Sequence, residues 1–354
     1  MGYTLPTGLY NVRYEQELDI FRPRLQKALL IIAFLFLVTV PTMFFSNSIL
    51  SLMTIIGITI IAMQGLNILF GYTGQISIGH SAFIAVGAYA SALLSTRLNF
   101  PFLAALICAG LVTGIVGLFF GLPSLRVKGF YLAITTLGAY FIIMWVIRHG
   151  GSLTREIYGL SVPPASIGGF VLNTEPRYYV FTVIMVFLLT LLAKNLVRSH
   201  IGRAFVAIRD NDIAATVMGI NIFAYKLLAF FICCFFAGIA GSLWAHYMIA
   251  INPEVFPFYD SIWYLGFLAV GGMGSIMGAI FGAVLWKLLR EGVAALVPFL
   301  SHTFPGFAAA TGYAGFSLII FGLVIVLFLV FEPRGINHRW TIFKTYYRLW
   351  PFSY

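Results

Sequence analysis

Residues 202–226 read GRAFVAIRDNDIAATVMGINIFAYK and form a polar island between two long apolar runs, 178–196 and 225–250. The island carries the basic side chains Arg203 and Arg209, and it offers Asp and Asn side chains that could begin a short helix. A plain connecting loop needs neither helix signals nor a concentration of basic charge. The segment therefore predicts a structured, basic surface that docks on a soluble partner protein.

The composition around this island indicates a membrane protein. Of 354 residues, 61% are hydrophobic and only 9% are charged, and the mean hydropathy is +0.98. A soluble domain has about 25% charged residues, so this chain has the lipid bilayer as its solvent. The net charge of +10 lies in loops and tails, where it favours anionic lipid head groups as partners and not nucleic acid.

Apolar runs of about 20 residues, the length that crosses a bilayer, recur along the chain. The candidate segments are 28–50, 51–70, 80–96, 101–121, 129–147, 178–196, 225–250, 261–272, 276–297 and 314–331. With the N-terminus in the cytoplasm, 15 of the 21 Lys and Arg residues lie on the cytoplasmic side and four on the outer side. We therefore predict an all-α polytopic membrane protein with about eight to ten transmembrane segments, broken or re-entrant Gly-rich segments, and both termini cytoplasmic.

The same pattern predicts the domain organisation. Residues 1–27 are a cytoplasmic N-terminal segment, 28–331 a single transmembrane domain, and 332–354 a cytoplasmic C-terminal tail. The docking segment occupies about 197–225. The longest outer connection, 148–177, is either a short helix or hairpin able to meet a soluble protein, or a disordered connector.

The stretch GYTGQISIGHSAFIAVGAY, residues 71–89, interrupts the apolar pattern with glycines and polar side chains. Irregular backbone inside a bilayer is tolerated where it lines a watery cavity or is buried in protein, and broken helices mark solute paths in many transporters. This interpretation makes Gln75, Ser77 and His80 candidate path residues. The alternative is a cytoplasmic loop with a helix N-cap at Ser77 or Ser81.

A second Gly-rich stretch, GGMGSIMGAIFGA, covers residues 271–283. Gly274, Gly278 and Gly282 have small-xxx-small spacing, which favours close helix–helix contact over direct contact with a solute. The stretch is not a phosphate-binding loop, and the sequence contains no GxxxxGK[ST] motif. The chain is therefore not expected to carry its own P-loop ATPase.

The remaining chemistry-bearing residues do not form a catalytic or metal-binding pattern. None of the acidic residues lies in the middle of a clear apolar run, which counts against proton- or sodium-coupled transport. The histidines are scattered, and the three cysteines fall in apolar runs, as expected of packing residues. Lys287 and Arg290 lie one helical turn apart, where they either snorkel to a water boundary or mark a helix end. We expect no catalytic residues and no cofactor or metal site on this chain.

Taken in order, the stretches at 71–89, 122–138 (LPSLRVKGFYLAITTLG), 201–221, 226–245, 271–283 and 331–336 (FEPRGI) resemble the permease subunits of branched-chain amino acid ABC importers, most closely their LivM-like branch. The resemblance covers roughly residues 50–336. It implies that residues 202–221 form the segment that sits in a cleft of an ATPase. Six residues would carry this coupling role: Arg203, Arg209, Asp212, Ala214, Ala215 and Gly219. Ile213 stands where the family has an acidic residue, and LTREIYGL at 153–160 replaces a Gly-rich run.

The resemblance further implies a complex in the bacterial inner membrane. Its expected partners are a second, homologous permease, two cytoplasmic ATP-binding subunits that hold ATP and Mg²⁺, and a periplasmic or lipid-anchored solute-binding protein. The chain would form the path for branched-chain or other amino acids. Relatives that import urea or short amides make those solutes the alternative. A standalone channel or facilitator, and a scaffolding subunit without a path, are the rivals from other classes.

Overall fold

A computed structural model describes residues 24–124, 130–151, 153–156, 158–303 and 305–349, and these residues are almost wholly helical. The α-helices are α1 Arg24–Phe44, α2 Asn47–Leu66, α3 His80–Arg97, α4 Phe102–Ser124, α5 Phe130–Arg148, α6 Glu175–Arg198, α7 His200–Asp210, α8 Asp212–Val217, α9 Ile222–Met248, α10 Phe258–Gly271, α11 Ile276–Thr303, α12 Pro305–Phe331 and α13 Ile336–Leu349. A π-helical turn, Asn67–Tyr72, extends α2, and a 3₁₀ turn covers Pro253–Val255.

The predicted fold class, an all-α polytopic membrane protein, is confirmed. Each of the ten predicted apolar segments corresponds to a helix. In the described ranges, five helices are long and apolar enough to cross a membrane, or six if Ser317–Phe331 and the bent continuation Ile336–Tyr346 form one span. This is fewer than the eight to ten predicted, because helices such as α10, with 14 residues, are too short, and α11 carries three charged residues.

Helix α9 is the centre of the bundle and packs against α2, α3 and α4. Small residues allow the closest approach: a Cβ on Gly87 would collide with the backbone of Gly238, and one on Gly241 with the backbone of Ile84. Such contacts replace the hydrophobic driving force that lipid does not supply. Helix α3 is rich in small residues and packs against protein, since its Ala82, Ala85 and Ala88 are fully buried. Cys233 and Cys234 are buried packing residues, as predicted.

The connections gather at two ends of the bundle. At one end, the π-helical turn, the segment between α6 and α9, and the α10–α11 turn lie together around Arg209. At the other, the α3–α4 connection and residues 163–166 surround His246. We call these the Arg209 end and the His246 end. Positive-inside counting predicts that the Arg209 end is the cytoplasmic one.

Two helices begin inside the bundle and not at either end. The chain between Tyr72 and His80 runs from the Arg209 end toward the middle of the bundle. There His80 contacts Ala62 of α2 and Cys233 near the middle of α9. Helix α10 begins at a similar level, because its Ser261 hydroxyl accepts a hydrogen bond from the Ser81 backbone N–H (2.9 Å). The irregular backbone at 73–79 therefore runs within the bundle, and the alternative of a loop beneath it is wrong.

The structure also decides two smaller alternatives. The connection 148–177 contains a hairpin, since β2 Ser166–Ile167 pairs with β3 Phe170–Val171, and β1 Leu160–Ser161 pairs with β4 Ala250–Ile251. Helix α11 continues through Lys287 and Arg290 to Thr303, so these residues do not mark a helix end. Residues 1–23, most of the predicted N-terminal segment, lie outside the described residues, and α13 occupies most of the predicted C-terminal tail.

Candidate coupling segment and the helix break beside it

The predicted docking segment folds as two short helices, α7 and α8, joined at Asn211. Ser199 caps α7 by accepting a hydrogen bond from the Ile201 N–H (3.2 Å). The Asn211 side chain caps α8 by accepting from the N–H groups of Ile213 and Ala214, each at 3.0 Å. These caps satisfy donors that a helix start otherwise leaves open, so the sequence itself sets the boundary between the two helices.

Helix α8 ends in a Schellman motif. The Gly219 N–H donates to the Thr216 carbonyl (2.9 Å) and the Ile220 N–H to the Ala215 carbonyl (3.0 Å). Gly219 has φ +81°, a left-handed conformation that favours glycine. A Cβ at this position would meet no atom within 4 Å, so its place is set by the backbone and not by crowding.

The outer face of α8 is apolar and exposed. Ile213, Val217 and Met218 are 73%, 84% and 81% exposed, while Ala215 faces the bundle and is buried. Ala214 is exposed beside them. We call Ile213, Val217 and Met218 the apolar tip. Three large apolar side chains on one exposed turn are typical of a surface that another protein covers.

Helix α7 fixes this tip to the bundle. Phe205 is fully buried and its ring meets Tyr225 of α9 edge-on, at 6.3 Å between centroids. Arg203 is exposed and donates a long hydrogen bond, 3.4 Å, to the Arg198 carbonyl. Asp212 occupies the first turn of α8, where its charge complements the helix dipole.

Arg209 joins α7 to both Gly-rich segments. Its Nη1 donates to the Gly71 carbonyl (2.9 Å), and its guanidinium also pairs with Asp210 (2.9 Å). A Cβ added to Gly274 would lie 3.0 Å from Nη1, and one on Gly74 would lie 3.2 Å from Cγ of the same arginine. The coupling segment and the two glycine-rich stretches are therefore one contact region.

Asn67, which the sequence analysis did not single out, completes this region. Its Nδ2 donates to the Ser275 carbonyl (2.9 Å), and its Oδ1 accepts from the Gly274 N–H (3.0 Å). Asn67 is 1% exposed. We call Asn67, Gly71, Arg209 and Gly274 the Arg209 junction. A buried Asn that satisfies two backbone groups of a distant turn fixes their relative position.

The three predicted path residues lie in or directly after the irregular segment 73–79, which runs from the Arg209 end toward the middle of the bundle. Gln75, Ser77 and His80 are at most 2% exposed. Gln75 donates to Thr73 Oγ1 (3.1 Å) and to the Lys226 carbonyl (3.2 Å), and its Oε1 has no partner in the described part of the chain. His80 Nε2 donates to the Ala62 carbonyl (3.1 Å), because a carbonyl only accepts, and Nδ1 lies 3.7 Å from Cys233 Sγ. Helix α3 is capped by Gly79, so an N-cap at Ser77 or Ser81 is wrong.

The three predicted packing glycines divide into two kinds. Gly278 and Gly282 lie on α11 against the end of α10, where a Cβ would collide with the carbonyl oxygens of Gly272 and Phe267. Gly274 lies in the turn before α11 with φ +71°, so its conformation and its approach to Arg209, and not helix packing, account for it.

A cavity of about 180 Å³ lies at the His246 end, between Ser95, Pro163 and His246. His246 Nδ1 donates to the Pro163 carbonyl (2.9 Å), so Nε2 accepts from the Ser91 hydroxyl (3.0 Å). The sequence carries no signal for this cluster, because its members are far apart in the chain. Within the described ranges, no three His, Cys, Asp or Glu residues are grouped to hold a metal ion.

Comparison with known proteins adds evidence of a different kind. Residues 48–329 match the family described as "Branched-chain amino acid transport system / permease component". The chain is 30% identical to the high-affinity branched-chain amino acid transport system permease protein LivM of Salmonella typhimurium (79% of this chain and 67% of that one) and of Escherichia coli (88% and 75%). It is 25% identical to the probable LivM of Methanocaldococcus jannaschii (79% and 90%).

Proposed function

Because this chain belongs to the family of branched-chain amino acid transport system permease components, we propose that it is the membrane permease subunit of an ATP-driven importer of amino acids. Members of the family are transport components and not enzymes. The chain is a multi-pass protein of the bacterial inner membrane.

The observation that carries the proposal is the link between the apolar tip and the Arg209 junction. A nucleotide-driven partner must move something on the permease, and α8 presents three exposed apolar side chains for that contact. Arg209 lies in the last turn of α7, next to α8. It donates a hydrogen bond to the π-helical turn that precedes the irregular segment 73–79. A displacement of α8 therefore acts directly on the irregular backbone inside the bundle.

In this mechanism two cytoplasmic ATPase subunits hold ATP and Mg²⁺, and a solute-binding protein delivers solute to the His246 end. A second, homologous permease completes the path. ATP binding favours one arrangement of the two permeases over the other, and that differential affinity supplies the free energy. The coupling surface consists of Arg203, Arg209, Asp212, Ala214, Ala215 and Gly219. The irregular segment that its displacement moves contains Gln75 and Ser77 and leads into His80.

Amino acids are the proposed solutes, as in the names of the relatives, and urea or short amides are the second candidate. A standalone channel would have no use for an exposed apolar tip held on a capped, two-helix segment. A scaffolding subunit would have no use for a helix break that connects this segment to the bundle interior.

The experiment is the purification of tagged chain from its native membrane in mild detergent, with and without Val217→Glu. The wild type is expected to bring P-loop ATPase subunits and a second permease in fixed ratio. A carboxylate at the centre of the apolar tip is expected to reduce the recovered ATPase at least 10-fold while the second permease remains. The matched control is Leu153→Asp, an exposed apolar side chain on the 148–177 connection, which should leave ATPase recovery unchanged. A wild-type chain that brings no ATPase even after crosslinking would overturn the proposal.

A further inference from the structure

A group of charged residues lies between α10 and α11. Asp260 is in the first turn of α10, and Lys287 and Arg290 are one turn apart on α11. The two helices are antiparallel neighbours: Gly282 lies against Phe267, and the Trp286 and Tyr264 rings meet at 4.9 Å. Continued by one more turn, this register brings Arg290 beside Asp260, and Asp260 interacts electrostatically with both cations. We call Asp260, Trp286, Lys287 and Arg290 the mid-bundle cluster.

The level of the cluster is fixed by its neighbours. Ser261 pairs with Ser81 (2.8 Å between hydroxyls), and Tyr264 meets the His80 ring edge-on at 5.9 Å. His80 in turn contacts Cys233 near the middle of α9. Asp260 therefore lies in the first turn of α10 and at about the same depth as the middle of α9, an apolar spanning helix. The sequence does not predict an acidic residue at this depth.

The charges are close but not joined. Within the described ranges, no ion pair shorter than 4.0 Å connects Asp260 with Lys287 or Arg290. Lys287 Nζ instead lies 4.3 Å from the centroid of the Trp286 ring. Trp286 is 1% exposed, and its Nε1–H, a donor only, has no acceptor. A buried donor without a partner costs about 1–3 kcal/mol, so an acceptor supplied by a ligand would remove a real penalty.

Charged side chains at membrane depth are costly and usually face a polar path or another charge. Lys287 and Asp260 are half-buried, and Arg290 is exposed on the surface of the single chain. A purely structural ion pair would be expected to close to contact distance and to be shielded. This cluster instead holds both signs of charge apart, with Arg290 open to the surface of the chain.

We infer that the mid-bundle cluster is a recognition site for a zwitterionic solute. Lys287, Arg290 and the Trp286 N–H receive the carboxylate, and Asp260 receives the ammonium group. The inference rests on the proposed function, and it favours amino acids over urea and short amides, which carry neither charge. Half-helices that begin at mid-depth beside the site are the arrangement in which transporters bind charged solutes.

The test is uptake of radiolabelled L-leucine by the complete complex in proteoliposomes, with ATP inside and the solute-binding protein outside. Asp260→Asn is expected to raise the KM for uptake at least 10-fold, and Lys287→Gln to do the same, with subunit recovery unchanged. Asp260→Glu, which keeps the charge, should remain within threefold of wild type. Glu254→Gln removes an exposed carboxylate outside the cluster and should have no effect.

The outcomes separate the two proposals. Wild-type uptake of leucine with an unchanged KM in both Asp260→Asn and Lys287→Gln overturns the recognition site and leaves the proposed function standing. The recognition site is also overturned if Asp260→Glu is as defective as Asp260→Asn, because the role would then be packing and not charge. A wild-type complex that takes up radiolabelled urea but no leucine overturns both the site and the amino-acid assignment.

Discussion

The Arg209 junction and the mid-bundle cluster are both polar groups among glycine-rich helices, yet they are built in opposite ways. In the junction, Arg209 and both polar atoms of Asn67 have protein partners at 2.9–3.0 Å. In the cluster, charges of both signs lie near each other, and among the residues that the structure describes they make no ion pair and the Trp286 N–H has no acceptor.

This difference separates two kinds of function. A fully paired network holds segments in one arrangement and passes displacement between them, since moving one member moves the rest. An unpaired polar group is stabilised only when something arrives to pair with it. We therefore expect substitutions in the junction to change coupling and assembly, and substitutions in the cluster to change the apparent affinity for solute.

The sharpest test of the comparison is Arg209→Ala. Losing the charged hydrogen bond to Gly71 removes an interaction of about 1.5–3 kcal/mol, so transport should fall roughly 10- to 100-fold. The KM for the solute should not change, because Arg209 does not lie at the recognition site. Uptake at saturating solute, together with ATPase stimulation by the loaded binding protein, measures the effect.

The comparison for this variant is Arg203→Ala, which removes an exposed arginine of the coupling surface outside the junction. It is expected to lower uptake less than Arg209→Ala does, because the hydrogen bond that Arg203 donates to the Arg198 carbonyl is long, 3.4 Å. If Arg209→Ala raises the KM while the maximal rate stays constant, the assignment of separate roles to the junction and the cluster fails.

A smaller effect is expected at the turn between α10 and α11, which joins the Arg209 junction through Gly274. Gly278→Ala places a Cβ against the Gly272 carbonyl, and overpacking of this kind costs about 1–3 kcal/mol. Gly292→Ala on the same helix meets open space and is expected to be neutral or to stabilise by up to about 1 kcal/mol. Thermal unfolding of the purified complex, followed by loss of subunit association, distinguishes the two. Equal melting temperatures for both variants would show that the turn yields to the added methyl group.

The sequence predicted those features that depend on local pattern. Apolar runs located the helices, and the polar residues at 210–212 located the break between α7 and α8. The roles of Asn67 and Asp260 could not be predicted, because they depend on how helices distant in the chain pack in register. Asn67 looks like one polar residue in an apolar run until Ser275 is placed beside it.

The same limit applies to His80 and Lys287, whose positions also depend on how distant helices pack. The glycines around 71–79 indicated a broken helix. They did not indicate that the irregular segment ends at the depth of the middle of α9. Lys287 and Arg290 predicted either side chains that snorkel to a water boundary or a helix end, because charges are rare inside spans. The structure instead continues α11 through them, and their position next to Trp286 and Asp260 follows from tertiary packing alone.

The smallest expected effect concerns the end of α8, the proposed contact with the ATPase. Gly219→Ala forces a side chain into φ +81°, at a cost of about 1 kcal/mol. Gly219→Asn should cost less, because Asn tolerates this conformation better than Ala. Since a Cβ would touch nothing in the chain, this strain is the whole expected effect. It lowers the free energy of unfolding of the permease by no more than about 1 kcal/mol and, by displacing the end of α8, weakens ATPase association about fivefold for Ala and less for Asn. Titration of ATPase subunits against the two variants measures this order. An Asn variant that binds as poorly as Ala or worse would mean that the partner surface, and not the backbone conformation, requires glycine here, and the apolar tip would then extend to Gly219 itself.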